Sequence, residues 1–288
     1  MGGSRDHVSA CIDGDEGYGR LATGHRAAYL PTLTWNYFVQ PARERIFNVP
    51  VIVLLLLAAM GLVHAVGELV LNTEQANAFL DMFAFVPGRY DLRILRQFPW
   101  TLGWGAAVWT FVTYAFIHGS FMHLGFNAVW LLAFGTPVAR RFGPLRFLIF
   151  FLAAAAVGAA VHLAVHGGER VPMVGASAAI SGAMAAAMRF AFQRGGPLGP
   201  LRSDDTAAYR VPALALSVML RDPRLVIFLA VWFGVNLLFG LGVVAIPGEG
   251  DMPIAWEAHI GGFLAGLVGF ALFDPAQDDA PSEESIEA

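Results

Sequence analysis

The sequence predicts an all-α, polytopic membrane protein with six transmembrane helices and a large first outer loop. Composition is the first support for this fold class. Of the 288 residues, 57% are hydrophobic and 14% are charged, and the mean hydropathy is +0.59. Soluble domains are about a quarter charged. The second support is that six apolar segments are long enough to cross a bilayer, which takes about 20 helical residues.

The six spans are predicted near 49–70, 120–139, 145–166, 175–193, 224–246 and 255–273. The fourth is rich in Ala and Gly rather than Leu, so hydropathy supports it weakly. A further apolar run, 103–117, is shorter and lies only a few residues before the second span. We interpret it as an interfacial or re-entrant part of the first outer loop. Its tryptophans, Trp100, Trp104 and Trp109, suit the membrane–water boundary.

The basic residues predict the orientation of the chain. There is no lysine, and with the N-terminus inside, 14 of the 18 arginines lie in the inner segments 1–47, 140–146 and 189–224. This excess fits the positive-inside rule and predicts that both termini are cytoplasmic. The domains are then a cytosolic N-terminal extension (1–47), a six-span domain (48–273) and a disordered acidic C-terminal tail (274–288).

Three polar motifs interrupt the apolar segments. They are His118-Gly-Ser-Phe-Met-His123-Leu-Gly-Phe-Asn127, Gly175-Ala-Ser177 and Ala258-His259-Ile-Gly-Gly262. Ionisable and amide side chains are costly at membrane depth, so their presence there indicates a function. A serine, a histidine and a His/Asn pair are the nucleophile, the base and the oxyanion donors that an acyl-transfer reaction needs.

The first motif places two hydrogen-bond donors on one helical face. His123 and Asn127 are four residues apart, about one helical turn, so both are able to donate toward a common point. A developing oxyanion requires such donors. The alternative is that the pair makes polar contacts between helices, and the residues of this motif alone do not separate the two interpretations.

The second motif places a serine at the start of a predicted helix. Ser177 follows the loop that Gly175 marks, beside unpaired backbone N–H groups and the positive end of the helix dipole. An ordinary N-cap serine is the alternative. Ser177 shares its helical face with Ser181 and Ala185, which are small enough for close packing against another helix.

The third motif places a histidine among glycines. His259 shares a face with Gly262, Gly266 and Gly269, and small residues let two helix backbones approach closely in lipid. Spans four and six are therefore predicted to pack face to face, with Ser177 near His259. In the alternative, the glycines only pack helices and His259 caps an end.

In their combination, order and span number, these motifs resemble the rhomboid family of intramembrane serine proteases. The resemblance covers residues 49–273 and implies a rhomboid-like six-span bundle. It implies that Ser177 is the nucleophile and His259 the base, with His123 and Asn127 contributing to the oxyanion hole. Gly175, Gly262 and Gly266 are expected to pack helices near this site.

Two positions depart from the family pattern. Ala178 stands directly after Ser177, where the family often has glycine, and Thr110 follows Trp109 where the family often has arginine. Neither change removes a reacting group. They bear on loop geometry and on substrate preference.

The resemblance implies an enzyme that hydrolyses peptide bonds in or near the transmembrane segments of membrane proteins through a Ser-His dyad. The implied location is a bacterial cytoplasmic (inner) membrane. The expected partners are single-span membrane-protein substrates and the lipid bilayer, with no nucleic acid. The sequence does not give the oligomeric state. A catalytically inactive rhomboid-like binder is the main alternative. A transporter is disfavoured because the sequence has no internal repeat.

No metal and no cofactor are predicted, and no acidic residue is predicted to join Ser177 and His259 as a third catalytic member. The single cysteine, Cys11, excludes a cysteine-rich zinc site. His162 and His166 stand at i, i+4 with Glu169 nearby, a spacing that suits a metal, but they lie where the third span meets a loop. Glu257 is expected on the far side of the helix from His259. Asn236, in the fifth span, is expected to make a contact between helices.

Overall fold

A computed structural model of the chain describes residues 18–21, 28–31, 49–97, 103–199, 206–243 and 254–275. The chain divides into two compact units, Met1–Asn48 and Val49–Ala288. In the first unit, β1 (Tyr18–Leu21) and β2 (Ala28–Pro31) pair in antiparallel orientation, with Tyr18 opposite Pro31. These two short strands are an addition to the predicted all-α fold.

The second unit is an all-helical bundle, as predicted. Its α-helices are α1 (Val51–Leu69), α2 (Thr73–Phe83), α3 (Leu92–Gln97), α4 (Gly103–Thr113), α5 (Phe121–Trp130), α6 (Thr136–Phe142), α7 (Pro144–His166), α8 (Ser177–Met188), α9 (Leu216–Met219), α10 (Pro223–Gly240) and α11 (Trp256–Phe273). Short 3-10 helices cover Pro87–Tyr90, Tyr114–Phe116 and Thr206–Tyr209, and a π-helical segment, Leu131–Gly135, joins α5 to α6.

Within the described residues, five helical stretches are long and apolar enough to cross a membrane. They are α1, the continuous stretch Phe121–Phe142, α7, α10 and α11. Large hydrophobic side chains are exposed on their outer faces, such as Leu62 on α1, Val231 on α10 and Val268 on α11. Exposed apolar faces of this extent are unfavourable in water and suit contact with lipid. The protein is therefore an integral, multi-pass membrane protein.

The structure corrects the bounds of the fourth predicted span, 175–193. The helix there, α8, has 12 residues and is about 18 Å long, against about 30 Å for the hydrocarbon core of a bilayer. Its residues 178–188 are all buried. Because α8 is enclosed by other helices rather than by lipid, small residues suit it better than leucine.

The second predicted span is a helix with a local irregularity. The π-helical segment Leu131–Gly135 lies directly before the start of α6. Pro137, in the first turn of α6, has no N–H to donate to the carbonyl four residues earlier, so regular α-helical bonding cannot continue through this point. The chain nevertheless remains helical from α5 through α6.

The first outer loop contains α2, α3 and α4, and it is hydrogen-bonded to the loop between α7 and α8. Phe85 and Met173 exchange backbone hydrogen bonds of 3.1 and 2.8 Å. Trp109 Nε1 donates to the carbonyl of Met82 at 2.8 Å. The α4 region is among the shorter apolar helices, consistent with a loop element rather than a span. Trp100 and the side chain of Trp104 lie outside the described residues.

A buried ion pair closes the opposite end of the bundle. Arg141, in α6, donates to both carboxylate oxygens of Asp274 at 2.8 Å, and both side chains are 1% exposed. Asp274 falls at the start of the predicted tail, yet it packs within the bundle. The remaining tail residues, 276–288, lie outside the described residues.

Candidate active site

The site is built on a close crossing of α8 and α11. A methyl group added at Gly262 would overlap the carbonyl of Ala178, and one at Gly266 would overlap the backbone of Gly182. Backbones approach this closely only where side chains are missing. The crossing therefore holds the N-terminal end of α8 against the first turns of α11.

This contact differs in detail from the predicted one. On α8 it runs through Ala178 and Gly182, one position along from the predicted stripe of Ser177 and Ser181. Ser181 instead donates its hydroxyl to the carbonyl of Ser177 at 2.7 Å. On α11, Gly269 takes no part, since among the described residues no atom lies within 4 Å of where its Cβ would be.

The crossing brings Ser177 and His259 together. His259 Nε2 lies 2.7 Å from Ser177 Oγ, although the two residues are 82 positions apart in the chain. Ser177 is the first residue of α8, and His259 lies in the first turn of α11. Both residues are partly buried. A serine hydroxyl at this distance from an imidazole nitrogen has the geometry of a nucleophile and its base.

The other ring nitrogen of His259 is held by Asn236 of α10. His259 Nδ1 is hydrogen-bonded to Asn236 Oδ1, while Asn236 Nδ2 donates to the carbonyl of Trp232 at 2.7 Å. Of the two polar atoms of the Asn236 amide, only Nδ2 is able to donate to the Trp232 carbonyl. This bond therefore leaves Oδ1 directed toward the imidazole. Oδ1 is an acceptor, so Nδ1 carries the proton. Nε2 is then left as the acceptor for the Ser177 hydroxyl.

Asn236 is the site residue that sequence reasoning assigned to a general contact between helices. The available signal was an amide in the middle of an apolar helix, where polar groups are costly. The sequence does not give its partner, because α10 and α11 are joined by a connection whose length does not fix which faces meet. The structure supplies that information.

His123 lies beside the loop that leads into Ser177. A methyl group added at Gly175 would be 2.6 Å from His123 Nε2, so the imidazole packs directly on this glycine. Gly175 has a φ of +114°, a conformation that glycine adopts readily. Its N–H donates to the carbonyl of Tyr114 at 3.0 Å. Glycine is thus required here both for space and for backbone angle.

Asn127 is buried on the same helix as His123. One of its amide hydrogens is used within α5, since Nδ2 donates to the His123 carbonyl at 3.1 Å. His118 lies just before the helix, packs edge-to-face on His123 with ring centroids 5.1 Å apart, and accepts at its carbonyl from His64 Nδ1 at 3.0 Å. Through this bond α1 holds the segment that precedes His123.

The two departures from the family pattern lie in well-packed surroundings. Ala178 is 1% exposed and packs against Gly158 of α7 and Gly262 of α11. Thr110 is fully buried, and its hydroxyl donates to the carbonyl of Ala106 at 2.6 Å. Glu257, which is predicted to lie on the far side of the helix from His259, contacts His166 of α7.

The fold and the site define a polytopic helical membrane protein with a serine–histidine pair where two helices cross. The model of the Rhomboid domain matches residues 105–274, more than half of the chain, and the chain belongs to the rhomboid family. The chain is also similar to the rhomboid protease GlpG of Haemophilus influenzae, at 28% identity over 67 residues. That match covers 23% of this chain and 35% of the relative, about a third of its length.

Proposed function

We propose that this protein is an intramembrane serine protease that cleaves membrane proteins in or near their transmembrane segments. The observation on which the proposal rests is the 2.7 Å hydrogen bond between Ser177 Oγ and His259 Nε2. Membership of the rhomboid family and similarity to a protein named a rhomboid protease add support.

In the proposed reaction, Ser177 Oγ attacks the scissile carbonyl while His259 Nε2 takes the hydroxyl proton. The imidazolium then returns that proton to the leaving amine, and a water molecule hydrolyses the acyl-enzyme by the same route. The hydrogen bond from Nδ1 to Asn236 keeps the ring in the required tautomer and orientation throughout. Asn236 thus acts as a positioning residue, in the place where an acid stands in a serine–histidine–aspartate triad.

Three groups are proposed to stabilise the oxyanion. The backbone N–H of Ser177 is at the N-terminus of α8, where N–H groups have no partner within the helix. His123 contributes its imidazole, which packs on Gly175 beside the nucleophile. Asn127 contributes the amide hydrogen that is left after its bond to the His123 carbonyl.

The proposed substrates are single-span membrane proteins. A peptide bond in a helix is hydrogen-bonded within the chain, so the substrate must unwind locally before its carbonyl is open to attack. Attack then requires the unwound segment to reach the N-terminal end of α8, where Ser177 lies.

The test is reconstitution in liposomes with a generic single-span substrate. Ser177→Ala and His259→Ala are expected to abolish cleavage, because each removes a reacting group. Ser181→Ala is the matched control, since it removes a hydroxyl one turn further along α8 and is expected to retain most activity. Equal cleavage by wild type and Ser177→Ala would reject the nucleophile assignment.

An inactive rhomboid-like binder is distinguished by a fluorophosphonate probe, which reacts with an activated serine. Wild-type protein is expected to be labelled, and both Ser177→Ala and His259→Ala to remain unlabelled. Capture of a substrate without cleavage, together with an absence of labelling in the wild type, would favour the binder.

We further propose that the protein lies in a bacterial cytoplasmic membrane with both termini cytoplasmic, as the arginine distribution indicates. Cys11 is the single cysteine and lies in the N-terminal extension, so it is a natural reporter of orientation. A membrane-impermeant maleimide is expected to leave Cys11 unlabelled in intact cells and to label it after the cells are permeabilised. Labelling of Cys11 in intact cells would mean that the N-terminus lies outside the cytoplasm.

A further inference from the structure

A second polar cluster lies where α7 ends and α11 begins. It contains His162 and His166 of α7 and Glu257 of α11, and one ligand atom from each lies within 4.8 Å of the others. The two histidines are the i, i+4 pair for which the sequence predicts no metal. The fold adds Glu257, 91 positions after His166, which the sequence does not place beside them.

His166 lies between two carboxylates, one at each ring nitrogen. His166 Nδ1 is 3.0 Å from Glu169 Oε1, and its Nε2 is 3.0 Å from Glu257 Oε1. A neutral imidazole has one N–H, so it is able to donate to only one of these carboxylates. If Nδ1–H donates to Glu169, the Nε2 lone pair faces the Glu257 oxygen, and a cation between them would remove the repulsion.

Two further atoms in the cluster are buried and unsatisfied. Among the described residues, His162 Nδ1 and Glu257 Oε2 are solvent-inaccessible and have no hydrogen-bond partner. They lie 3.8 Å apart, and Glu257 is 8% exposed. Buried polar atoms without partners are rare in native proteins and often mark a missing ion or water.

The spacing fits a small divalent ion. Zinc binds histidine nitrogen and carboxylate oxygen at about 2.0–2.2 Å, which puts tetrahedral ligand atoms about 3.4 Å apart. Glu257 Oε1 lies 3.0 Å from His166 Nε2 and Oε2 lies 3.8 Å from His162 Nδ1, one on either side of this value, so each carboxylate oxygen faces one histidine. Two imidazoles and one carboxylate suit zinc and related transition metals, whereas calcium and magnesium prefer all-oxygen sites.

We propose that His162, His166 and Glu257 bind a divalent transition-metal ion of the zinc type, with Glu169 orienting His166 from outside the coordination sphere. The site joins the C-terminal end of α7 to the first turn of α11. Glu257 lies two residues before His259, on another face of the same helix. A bound ion therefore anchors the turn of α11 that contains the base without touching the base itself.

The experiment titrates tag-free, full-length protein in detergent with Co²⁺, whose absorption reports nitrogen and oxygen ligands, and then displaces it with Zn²⁺. Wild type is expected to bind one Co²⁺ per chain. Glu257→Gln keeps the shape of the side chain and removes its charge, and His162→Ala removes an imidazole. Both are expected to weaken binding by more than tenfold. Glu169→Gln is expected to weaken it by about tenfold, as loss of a supporting carboxylate does.

Two variants serve as controls for this titration. Glu74→Gln removes an exposed carboxylate in α2 and is expected to leave Co²⁺ affinity unchanged. His259→Ala is expected to do the same, which separates this site from the serine–histidine pair. The melting temperature without metal shows whether each variant is folded. If His162→Ala does not fold, the Co²⁺ affinity of Glu257→Gln is the test of the proposal.

No Co²⁺ binding by the wild type at stoichiometric concentrations would overturn the proposal, and the cluster would then be an ion-pair network around a protonated His166. Binding that survives in Glu257→Gln, or that disappears in His259→Ala, would overturn it as well. The readout is metal affinity, so the result does not depend on whether the protein is a protease.

Discussion

The imidazole of His259 is held on both sides by residues from other helices. Ser177 of α8 lies at Nε2 and Asn236 of α10 at Nδ1. Asn236 is in turn fixed by its bond to the Trp232 carbonyl one turn earlier. Three helices therefore meet at one ring, and the position of α10 bears directly on the tautomer of the base.

The role of Asn236 as a positioning residue is testable with Asn236→Leu, which keeps the size and removes the acceptor. We expect kcat to fall by about 10-fold to 100-fold with KM little changed, because the ring loses its tautomer bias but not its nitrogen. This is less than the roughly 10²- to 10⁴-fold contribution of a general base. The measurement is cleavage in liposomes together with the rate of fluorophosphonate labelling.

Leu237→Ala is the matched control for this substitution, since Leu237 is the adjacent, exposed residue of α10. It should leave both rates near wild type. If Asn236→Leu raised KM but left kcat and the labelling rate unchanged, the positioning role would be contradicted.

The oxyanion donors are tested by His123→Ala and Asn127→Ala. Loss of one such donor costs about 10²- to 10³-fold in kcat, and we expect each variant to lie in that range. The control is Met122→Ala, because Met122 is next to His123 and exposed, so this variant should cleave at about the wild-type rate. Cleavage by Asn127→Ala at the wild-type rate would remove Asn127 from the assignment.

At the scale of elements, α8 determines the architecture of the site. It is short, buried and built from small residues, and both α7 and α11 pack closely on it. The contact with α11 involves backbone atoms at Gly262 and Gly266, and that with α7 involves Gly158 against Ala178. A side chain added at these glycines would separate the helices and move His259 away from Ser177.

Gly262→Ala and Gly266→Ala are therefore expected to destabilise the bundle. Overpacking a tight core costs about 1–3 kcal/mol, and the loss should be near the upper value because the overlap is with backbone atoms. Gly269→Ala is the matched control on the same helix. Its Cβ would meet open space among the described residues, so the variant should be neutral or stabilised by up to about 1 kcal/mol from helix propensity.

Thermal unfolding in detergent measures these stability differences, and fluorophosphonate labelling reports the Ser177–His259 geometry. The two interface variants should lose labelling more than Gly269→Ala does. Equal melting temperatures for Gly262→Ala and Gly269→Ala would mean that the α8–α11 contact is looser than the structure indicates.

The long apolar helices and the pairing of α8 with α11 were accessible from sequence because apolar length and glycine spacing are local signals. The length of α8 was not, because Ala-rich segments look the same whether they face lipid or other helices. The partner of Asn236 and the meeting of Glu257 with His166 were also out of reach. Both depend on how helices far apart in the chain rotate against each other, which no local pattern encodes.

At the scale of the whole molecule, contacts between distant segments hold both ends of the bundle. At the end that contains the site, the first outer loop is hydrogen-bonded to the α7–α8 loop through Phe85 and Met173. At the other end, Arg141 joins α6 to Asp274, just after α11. Arg141 also donates to the carbonyls of Tyr209 and Val211, which fixes the segment before α9.

The pair of Arg141 and Asp274 gives a prediction about the stability of the whole bundle. Asp274→Asn keeps the shape and removes the charge, leaving a buried guanidinium without its counter-ion. Breaking a buried pair in this way costs about 3–5 kcal/mol. Arg93→Gln is the control, because Arg93 is 90% exposed and surface pairs contribute about 0–1 kcal/mol.

A double-mutant cycle separates the pair from its surroundings. The variants are Arg141→Met, Asp274→Leu and their combination, and the measured quantity is the free energy of unfolding in detergent. Because each single substitution leaves a buried charge unpaired, the combined variant should be less destabilised than the sum of the two. The guanidinium also lies 4.6 Å from the ring centroid of Phe190. Part of the stability lost in Arg141→Met should therefore remain lost in the combined variant. A coupling free energy near zero would mean that the two charges do not depend on each other, and that the aromatic and carbonyl contacts alone hold this end of the bundle.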